Sequence, residues 1–74
     1  MGRMASINPV RMVRALLRLG WTPVRVAGSH YVLKKQGHPP VTVPVHRGRS
    51  LKEGTARAIL EHAGIGEQEF FDEY

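Results

Sequence analysis

The chain has 74 residues, a formal net charge of +5 and no cysteine. A chain of this size is expected to form one domain with a modest core and no enclosed cofactor cavity. The lack of cysteine excludes disulfides, thiolate nucleophiles and cysteine-ligated zinc. No apolar run approaches the roughly 18 residues that span a bilayer, so we expect a cytoplasmic protein that does not act at a membrane.

Charge is unevenly distributed along the chain. All 11 lysine and arginine residues lie between Arg3 and Arg57, whereas four of the six acidic residues lie in the last eight positions. Eleven basic against two acidic side chains give residues 1–66 a net charge of +9, and the tail carries −4. A body this basic is expected to attract polyanions, nucleic acid above all.

The first predicted element is a helix that follows a short N-terminal segment. We expect residues 1–7 to be disordered. Asn8 is a good N-cap and Pro9 suits the first helical position, so the helix begins here. It runs to about Leu19, where Gly20 stops it. At about 100° per residue, three arginines fall together on the face opposite the apolar residues: Arg11, Arg14 and Arg18.

Three segments rich in β-formers follow and predict an antiparallel sheet: residues 21–27, 30–35 and 41–45. Gly28 and Ser29 form a tight turn between the first two. Within the third segment, alternate valines share one face, and Pro44 indicates a strand end or a sheet edge.

A second helix is predicted after the third strand. Ser50 and Glu53 match a capping box, Ser-x-x-Glu, and the helix runs to about Ala63, where Gly64 ends it. Residues 67–74 can form one further short helical turn, with Phe70 or Phe71 docked on the core. The predicted fold class is therefore α+β, helix-strand-strand-strand-helix, with two helices on one face of an antiparallel three-stranded sheet.

Several segments together resemble the HicA family of bacterial toxins. In chain order they are Leu-Leu-Arg-Leu-Gly-Trp at 16–21, Gly-Ser-His at 28–30, Val-Thr-Val-Pro-Val-His at 41–46, Gly-Thr-Ala-Arg-Ala-Ile-Leu at 54–60 and Ala-Gly-Ile at 63–65. Gly-Ser-His alone is a weak signal, but the ordered set is specific, and we assign residues 8–74 to one HicA-like domain.

The resemblance implies a fold like a double-stranded RNA-binding domain, cleavage of messenger RNA, growth arrest and neutralisation by a HicB antitoxin. It implies contact with DNA only through that antitoxin. Many members carry a second histidine directly after the first, whereas this chain has Tyr31 there. That departure removes a paired histidine but leaves the main candidate residue in place.

His30 is the leading catalytic candidate. RNA can be cleaved without a metal when a base takes the proton of the 2′-hydroxyl and an acid protonates the leaving oxygen. Histidine serves either role near neutral pH, and His30 matches the family's catalytic position. Ser29 is expected to hydrogen-bond a phosphate, and Gly28 lets the backbone approach closely. The alternative is that His30 is an ordinary surface residue of a strand.

His46 lies beside Arg47 and Arg49, where a phosphate can bind. Three roles stay open for it: a second proton-transfer group, a phosphate ligand, or a loop residue that only hydrogen-bonds the backbone. His38 and His62 are interpreted as structural. The histidine spacing matches no compact metal-ligand pattern, so we expect neither a metal nor another cofactor.

Further residues are predicted to bind RNA or the antitoxin. Lys34, Lys35 and the three helix arginines can follow a phosphate backbone, and Tyr31 can stack on a base. The leading hypothesis is a metal-independent endoribonuclease toxin. The alternatives are a non-catalytic RNA-binding module of the same fold and a module whose basic face docks an acidic protein.

Overall fold

A computed structural model describes residues 2–74, and Met1 lies outside the described residues. The elements are α1 (Pro9–Arg18), β1 (Thr22–Ala27), β2 (His30–Lys34), β3 (Val41–Pro44), α2 (Glu53–Ala63) and α3 (Glu67–Glu73). The strands form one antiparallel sheet in the order β1-β2-β3. The predicted α+β arrangement is confirmed, with α3 as an additional helix.

The ends of α1 are defined by local chemistry, as predicted. The side chain of Asn8 accepts hydrogen bonds from the backbone N–H groups of Val10 and Arg11, and Pro9 opens the helix. At the other end, Gly20 has a φ of 96°. This left-handed conformation lets the Trp21 N–H reach the carbonyl of Leu16 at 3.0 Å, which is a helix-ending pattern typical of glycine.

The core lies between the helices and one face of the sheet. Leu33 on β2 and Val41 and Val43 on β3 are buried, and they pack with apolar residues of all three helices. Successive strand residues point to opposite faces. His30 lies three residues before Leu33 and therefore on the sheet face that points away from the helices, whereas Tyr31 lies two residues before Leu33, on the helix-covered face.

β1 and β3 are the two edges of the sheet. Every residue of β1 is exposed, and the pairing with β2 shifts between Pro23 and Arg25. Such irregularities and prolines are common on edge strands, where they discourage pairing with other chains. Pro44 ends β3, which agrees with its predicted place at a strand end or edge.

The predicted capping box at Ser50 is wrong. The helix begins at Glu53, Lys52 is its N-cap, and no side chain caps it. Leu51 instead stays extended, because its N–H donates to the carbonyl of Ile7 at 2.8 Å and its side chain is buried. This long-range bridge delays the helix by two residues, and Glu53 pairs with Arg57 at 3.0 Å.

The N-terminal segment also differs from the expectation of disorder. Met4 and Ile7 are each only 1% exposed and belong to the core. α3 is longer than the single turn predicted, and Phe70 is fully buried beneath it. Both ends of the chain therefore cover the core, which a domain this small needs in order to bury enough apolar surface. Within residues 2–74, no helix is long and apolar enough to cross a membrane.

Candidate functional site

Two segments that are distant in sequence meet at one corner of the sheet. In the pairing of the strands, His30 lies opposite both Ala27 and Pro44. One residue further out, the N–H of Val45 donates to the carbonyl of Ser29 at 2.6 Å. His30 directly follows Ser29 and His46 directly follows Val45. The two candidate histidines therefore flank the same hydrogen bond.

An open cavity lies at this corner, and we call it the corner cleft. Its volume is about 570 Å³. The N-terminus of α1, the turn between β1 and β2, the helix-covered face of β2 and the loop after β3 form its walls. The lining residues are Asn8, Pro9, Val10, Gly28, Tyr31, Val45, His46, Arg47, Gly48, Arg49 and Ser50.

A second cavity, here called the outer cavity, lies on the other side of the same loop. Its volume is about 330 Å³, and it is lined by Pro44, His46, Arg49, Ser50, Leu51, Lys52 and Thr55. His46, Arg49 and Ser50 line both cavities, so the loop forms a shared wall. Pro44, the cross-strand partner of His30, lines the outer cavity, and Tyr31, the residue after His30, lines the corner cleft, so both cavities reach the neighbourhood of His30.

His30 is exposed and lines neither cavity. As the first residue of β2, it stands at the rim of the sheet, where it is accessible to a large substrate. The exposed position fits both a catalytic group and an ordinary strand residue, so its catalytic role stays a prediction. Ser29 is half-buried, and its backbone carbonyl accepts a hydrogen bond from the N–H of Val45.

The two loop arginines have no partners in the protein. Arg47 and Arg49 are exposed, and within residues 2–74 neither guanidinium makes a hydrogen bond or an ion pair. The backbone N–H of Arg49 donates to the carbonyl of His46 at 3.1 Å, which closes the loop into a turn. Both positive charges are therefore available to a ligand in the corner cleft.

The helix arginines lie elsewhere and contact α3. The guanidinium of Arg11 donates to the backbone oxygen of Tyr74 at 2.9 Å and stacks over the Tyr74 ring, 4.0 Å from its centre. Arg18 donates to the backbone oxygen of Glu73 at 2.8 Å. Arg14 lies between them, beside a small cavity of about 80 Å³. We call these three residues the arginine face; the structure does not bring it to the corner cleft.

The two strand lysines also separate. Lys34 is exposed and lies on the same sheet face as His30. Lys35 follows the end of β2, and its ammonium donates to the carbonyl of Leu19 at 2.9 Å, where it satisfies the C-terminal end of α1. The predicted contact of Lys34 with RNA stays a prediction, whereas the ammonium of Lys35 already has a partner within the protein.

Val10 is one of the apolar residues of α1, and the sequence pattern did not connect it with the site. In the structure its side chain is 45% exposed and lines the corner cleft. Ser50, Lys52 and Thr55 were also not predicted to line a cavity. The available signal for Val10 was topological: β1 runs back along α1, so the start of α1 must lie near the turn at Gly28.

His38 and His62, interpreted as structural, lie outside both cavities. His38 is exposed beside Trp21, with ring centres 5.5 Å apart, and His62 is exposed on α2. Among residues 2–74, no three histidine or acidic side chains come together as a metal-ligand set. The chemistry-bearing side chains of the corner are therefore histidines, arginines and one tyrosine.

Comparison with known proteins adds to this geometry. A search of curated protein sequences found no match. Among solved structures, the fold is similar to a chain of a toxin–antitoxin complex from Streptococcus pneumoniae, with a TM-score of 0.69 and 33% sequence identity. The alignment covers 80% of this chain and 98% of that one.

The family model of the HicA toxin of bacterial toxin–antitoxin systems matches residues 11–65. The match includes Gly28, His30, His46 and both loop arginines, and it spans the whole sheet and α2. The chain from the toxin–antitoxin complex has a similar fold, and the alignment covers nearly all of that chain. The chain therefore belongs to the HicA toxin family.

Proposed function

We propose that this toxin is a metal-independent endoribonuclease that cleaves messenger RNA by histidine acid-base catalysis. The observation that carries the proposal is the corner itself. His30 and His46 flank one backbone hydrogen bond, beside an open cleft whose two arginines have no partner within residues 2–74. Exposed histidines supply proton transfer, and arginines supply positive charge for phosphate.

The proposed reaction uses the 2′-hydroxyl of the RNA as the nucleophile. His30 accepts the proton of this hydroxyl while the 2′-oxygen forms a bond to the adjacent phosphorus. The bond from phosphorus to the 5′-oxygen breaks, and that oxygen takes a proton from an acid. The products are a 2′,3′-cyclic phosphate and a 5′-hydroxyl. An arginine of the loop stabilises the additional negative charge on phosphate, so the chemistry requires no metal ion.

His46 has two possible parts in this scheme. It can be the acid that protonates the 5′-oxygen, or it can hold the phosphate without transferring a proton. Both parts suit its place in the shared wall of the two cavities. The two roles predict different effects of a substitution at His46 on kcat and on KM.

The same proposal includes neutralisation by a HicB-like antitoxin, with any contact to DNA made through it. The similar solved chain was determined in a toxin–antitoxin complex, and this chain covers 98% of it. The net charge of +9 over residues 1–66 favours an acidic partner surface. Expression of this chain alone should arrest growth, and co-expression of the neighbouring small reading frame should restore it.

The deciding experiment is incubation of the purified protein with labelled RNA in excess EDTA. We expect cleavage to persist and the fragments to carry 2′,3′-cyclic phosphate and 5′-hydroxyl ends. Activity that disappears on chelation and returns with a divalent ion contradicts the metal-independent reaction. RNA that is bound but never cut favours the alternative, a non-catalytic RNA-binding module.

A further inference from the structure

We propose that the corner cleft and the outer cavity hold two consecutive nucleotides of a single-stranded RNA, and that the phosphate joining them crosses the shared wall on Arg49. This inference rests on the proposed function and identifies the substrate form and the path of the strand. It also gives different roles to Arg47 and Arg49, which the sequence alone does not distinguish.

The size of the corner cleft indicates more than a phosphate. Its volume of about 570 Å³ lies within the range of roughly 300–1,000 Å³ that is typical of small-molecule sites. Its lining combines apolar and aromatic side chains, Val10, Tyr31 and Val45, with two cations, Arg47 and Arg49. A nucleotide has a matching mixed character, since its base has apolar faces and its phosphate is anionic.

Tyr31 and Val10 form the base-binding side. Tyr31 is half-buried and anchored in the central strand, so its ring is held in place without the help of a ligand. Val10 is 45% exposed, although it lies on α1, a helix that packs against the core. An exposed apolar side chain and an aromatic ring that line the same cleft suit a flat base, because stacking tolerates any base.

The shared wall locates the connecting phosphate. His46, Arg49 and Ser50 line both cavities, whereas Arg47 lines only the corner cleft and Lys52 lines only the outer cavity. A strand with one nucleotide on each side of the loop must pass its phosphate over the residues common to both. Neighbours of His30 line both cavities, Tyr31 the corner cleft and Pro44 the outer cavity, so the phosphate between them is the one we assign to the candidate base.

This path requires a single strand. A base can enter the corner cleft and stack on Tyr31 only when it is unpaired. Sequence-specific RNA-binding proteins commonly bind such splayed, unpaired bases. The resemblance of the fold to double-stranded RNA-binding domains thus does not extend to the form of RNA bound.

The test uses binding as its first readout, so that it is independent of cleavage. The probe is a labelled trinucleotide of 2′-O-methyl RNA, which cannot be cleaved because its 2′-oxygen carries no proton. We expect Tyr31→Ala to weaken binding about fivefold or more, since loss of base stacking typically costs roughly 5- to 150-fold. Tyr31→Phe should keep most of the affinity, and Arg49→Gln should weaken binding about tenfold.

The control is Arg57→Gln, which removes the same charge from a side chain that is paired with Glu53 and Glu67 away from both cavities. It should leave the affinity within about twofold. Val10→Ser repeats the stacking test at an exposed position if Tyr31→Ala does not fold. A 2′-O-methyl RNA hairpin that holds the trinucleotide in its stem and binds as tightly as the single strand overturns the inference, and so does unchanged affinity in folded Arg49→Gln and Val10→Ser proteins.

The second readout is cleavage of unmodified RNA. Arg49→Gln should lower kcat, whereas Arg47→Gln should raise KM and leave kcat nearly unchanged, because only the former meets the phosphate that reacts. If the wild-type protein binds the probe as described but cuts no RNA, the proposed ribonuclease activity fails and the two nucleotide sites stand. If it cuts RNA and the cleft variants bind and cut normally, the sites fail and the activity stands.

Discussion

The arginines of the loop after β3 and those of α1 have the same chemistry and opposite surroundings. Arg47 and Arg49 line the corner cleft, and within residues 2–74 their guanidinium groups contact no acceptor. Arg11 and Arg18 donate to backbone oxygens at the end of α3. The last carbonyls of a helix lack partners within that helix and readily accept from cations. A basic side chain is available to a ligand only where the fold offers it no such acceptor.

This contrast shows that the net charge alone does not identify the arginines available to a ligand. The sequence presents the arginine face as the clearest basic feature, because three arginines share one side of a helix with no acid between them. The structure turns two of these cations toward α3, and Arg11 also stacks on Tyr74. The predicted contact of the arginine face with RNA or antitoxin stays a prediction, and the loop becomes the stronger candidate for phosphate.

The largest expected effect is that of His30→Ala. If His30 removes the 2′-proton, the cleavage rate should fall about 10²- to 10⁴-fold, the usual contribution of a general acid or base. A limb of the pH–rate profile near neutrality should disappear with it. Because the side chain is exposed, the free energy of unfolding should change by no more than about 0.5 kcal/mol.

The matched control for that change is His62→Ala, which removes another exposed histidine, on α2 and outside both cavities. It should cut RNA at the wild-type rate. A folded His30→Ala protein that also cuts at the wild-type rate ends the catalytic assignment and leaves the corner as a binding surface.

His46→Ala is expected to have the second largest effect and to decide its role. If His46 is the acid, kcat should fall about 100-fold or more. If it only holds phosphate, KM should rise with a smaller change in kcat, because binding in the ground state and the transition state is lost alike. Single-turnover kinetics at saturating RNA separate these cases, and no change in either constant leaves His46 as a loop residue.

A third prediction tests the two arginine sets directly. In the His30→Ala background, which binds RNA without cutting it, the pair Arg47→Gln and Arg49→Gln should reduce the salt slope of RNA affinity by about 1.4. Each lost phosphate contact with single-stranded RNA lowers that slope by roughly 0.7. The pair Arg11→Gln and Arg18→Gln carries the same charge change and should reduce the slope much less.

The opposite result is equally informative. An arginine-face pair that flattens the salt dependence as strongly as the loop pair shows that RNA displaces the contacts with α3. The same variants should be titrated with purified antitoxin. A loss of antitoxin affinity confined to the arginine face assigns that surface to the protein partner.

The smallest expected effect concerns stability. Arg11→Gln removes a charged hydrogen bond and a stacking contact with Tyr74, so the free energy of unfolding should fall by about 1 kcal/mol. In a domain of this size, Tm should drop by roughly 4–8 °C. Arg14→Gln lies on the same face without such a bond and should leave Tm nearly unchanged. Equal Tm values for the two variants show that α3 does not depend on Arg11.

The starts of α1 and α2 show which features a local sequence pattern can predict. Asn8 and Pro9 act within one turn of chain, so the start of α1 follows from local chemistry alone. Ser50 and Glu53 form an equally good local motif, yet the helix begins later, because Leu51 pairs with Ile7 and is buried. Local hydrogen bonding cannot anticipate a competitor that lies more than 40 residues away in the chain.

The same division holds for the site. The sequence by itself determined the order of elements, the alternation of the strands and the candidates His30, His46, Arg47 and Arg49, because period and motif are local properties of the chain. Only the tertiary structure brought Val10 and Tyr31 into the lining of one cleft and turned Arg11 and Arg18 toward α3. Which groups meet depends on strand register and on long-range packing, and both are chosen by burial of the whole core.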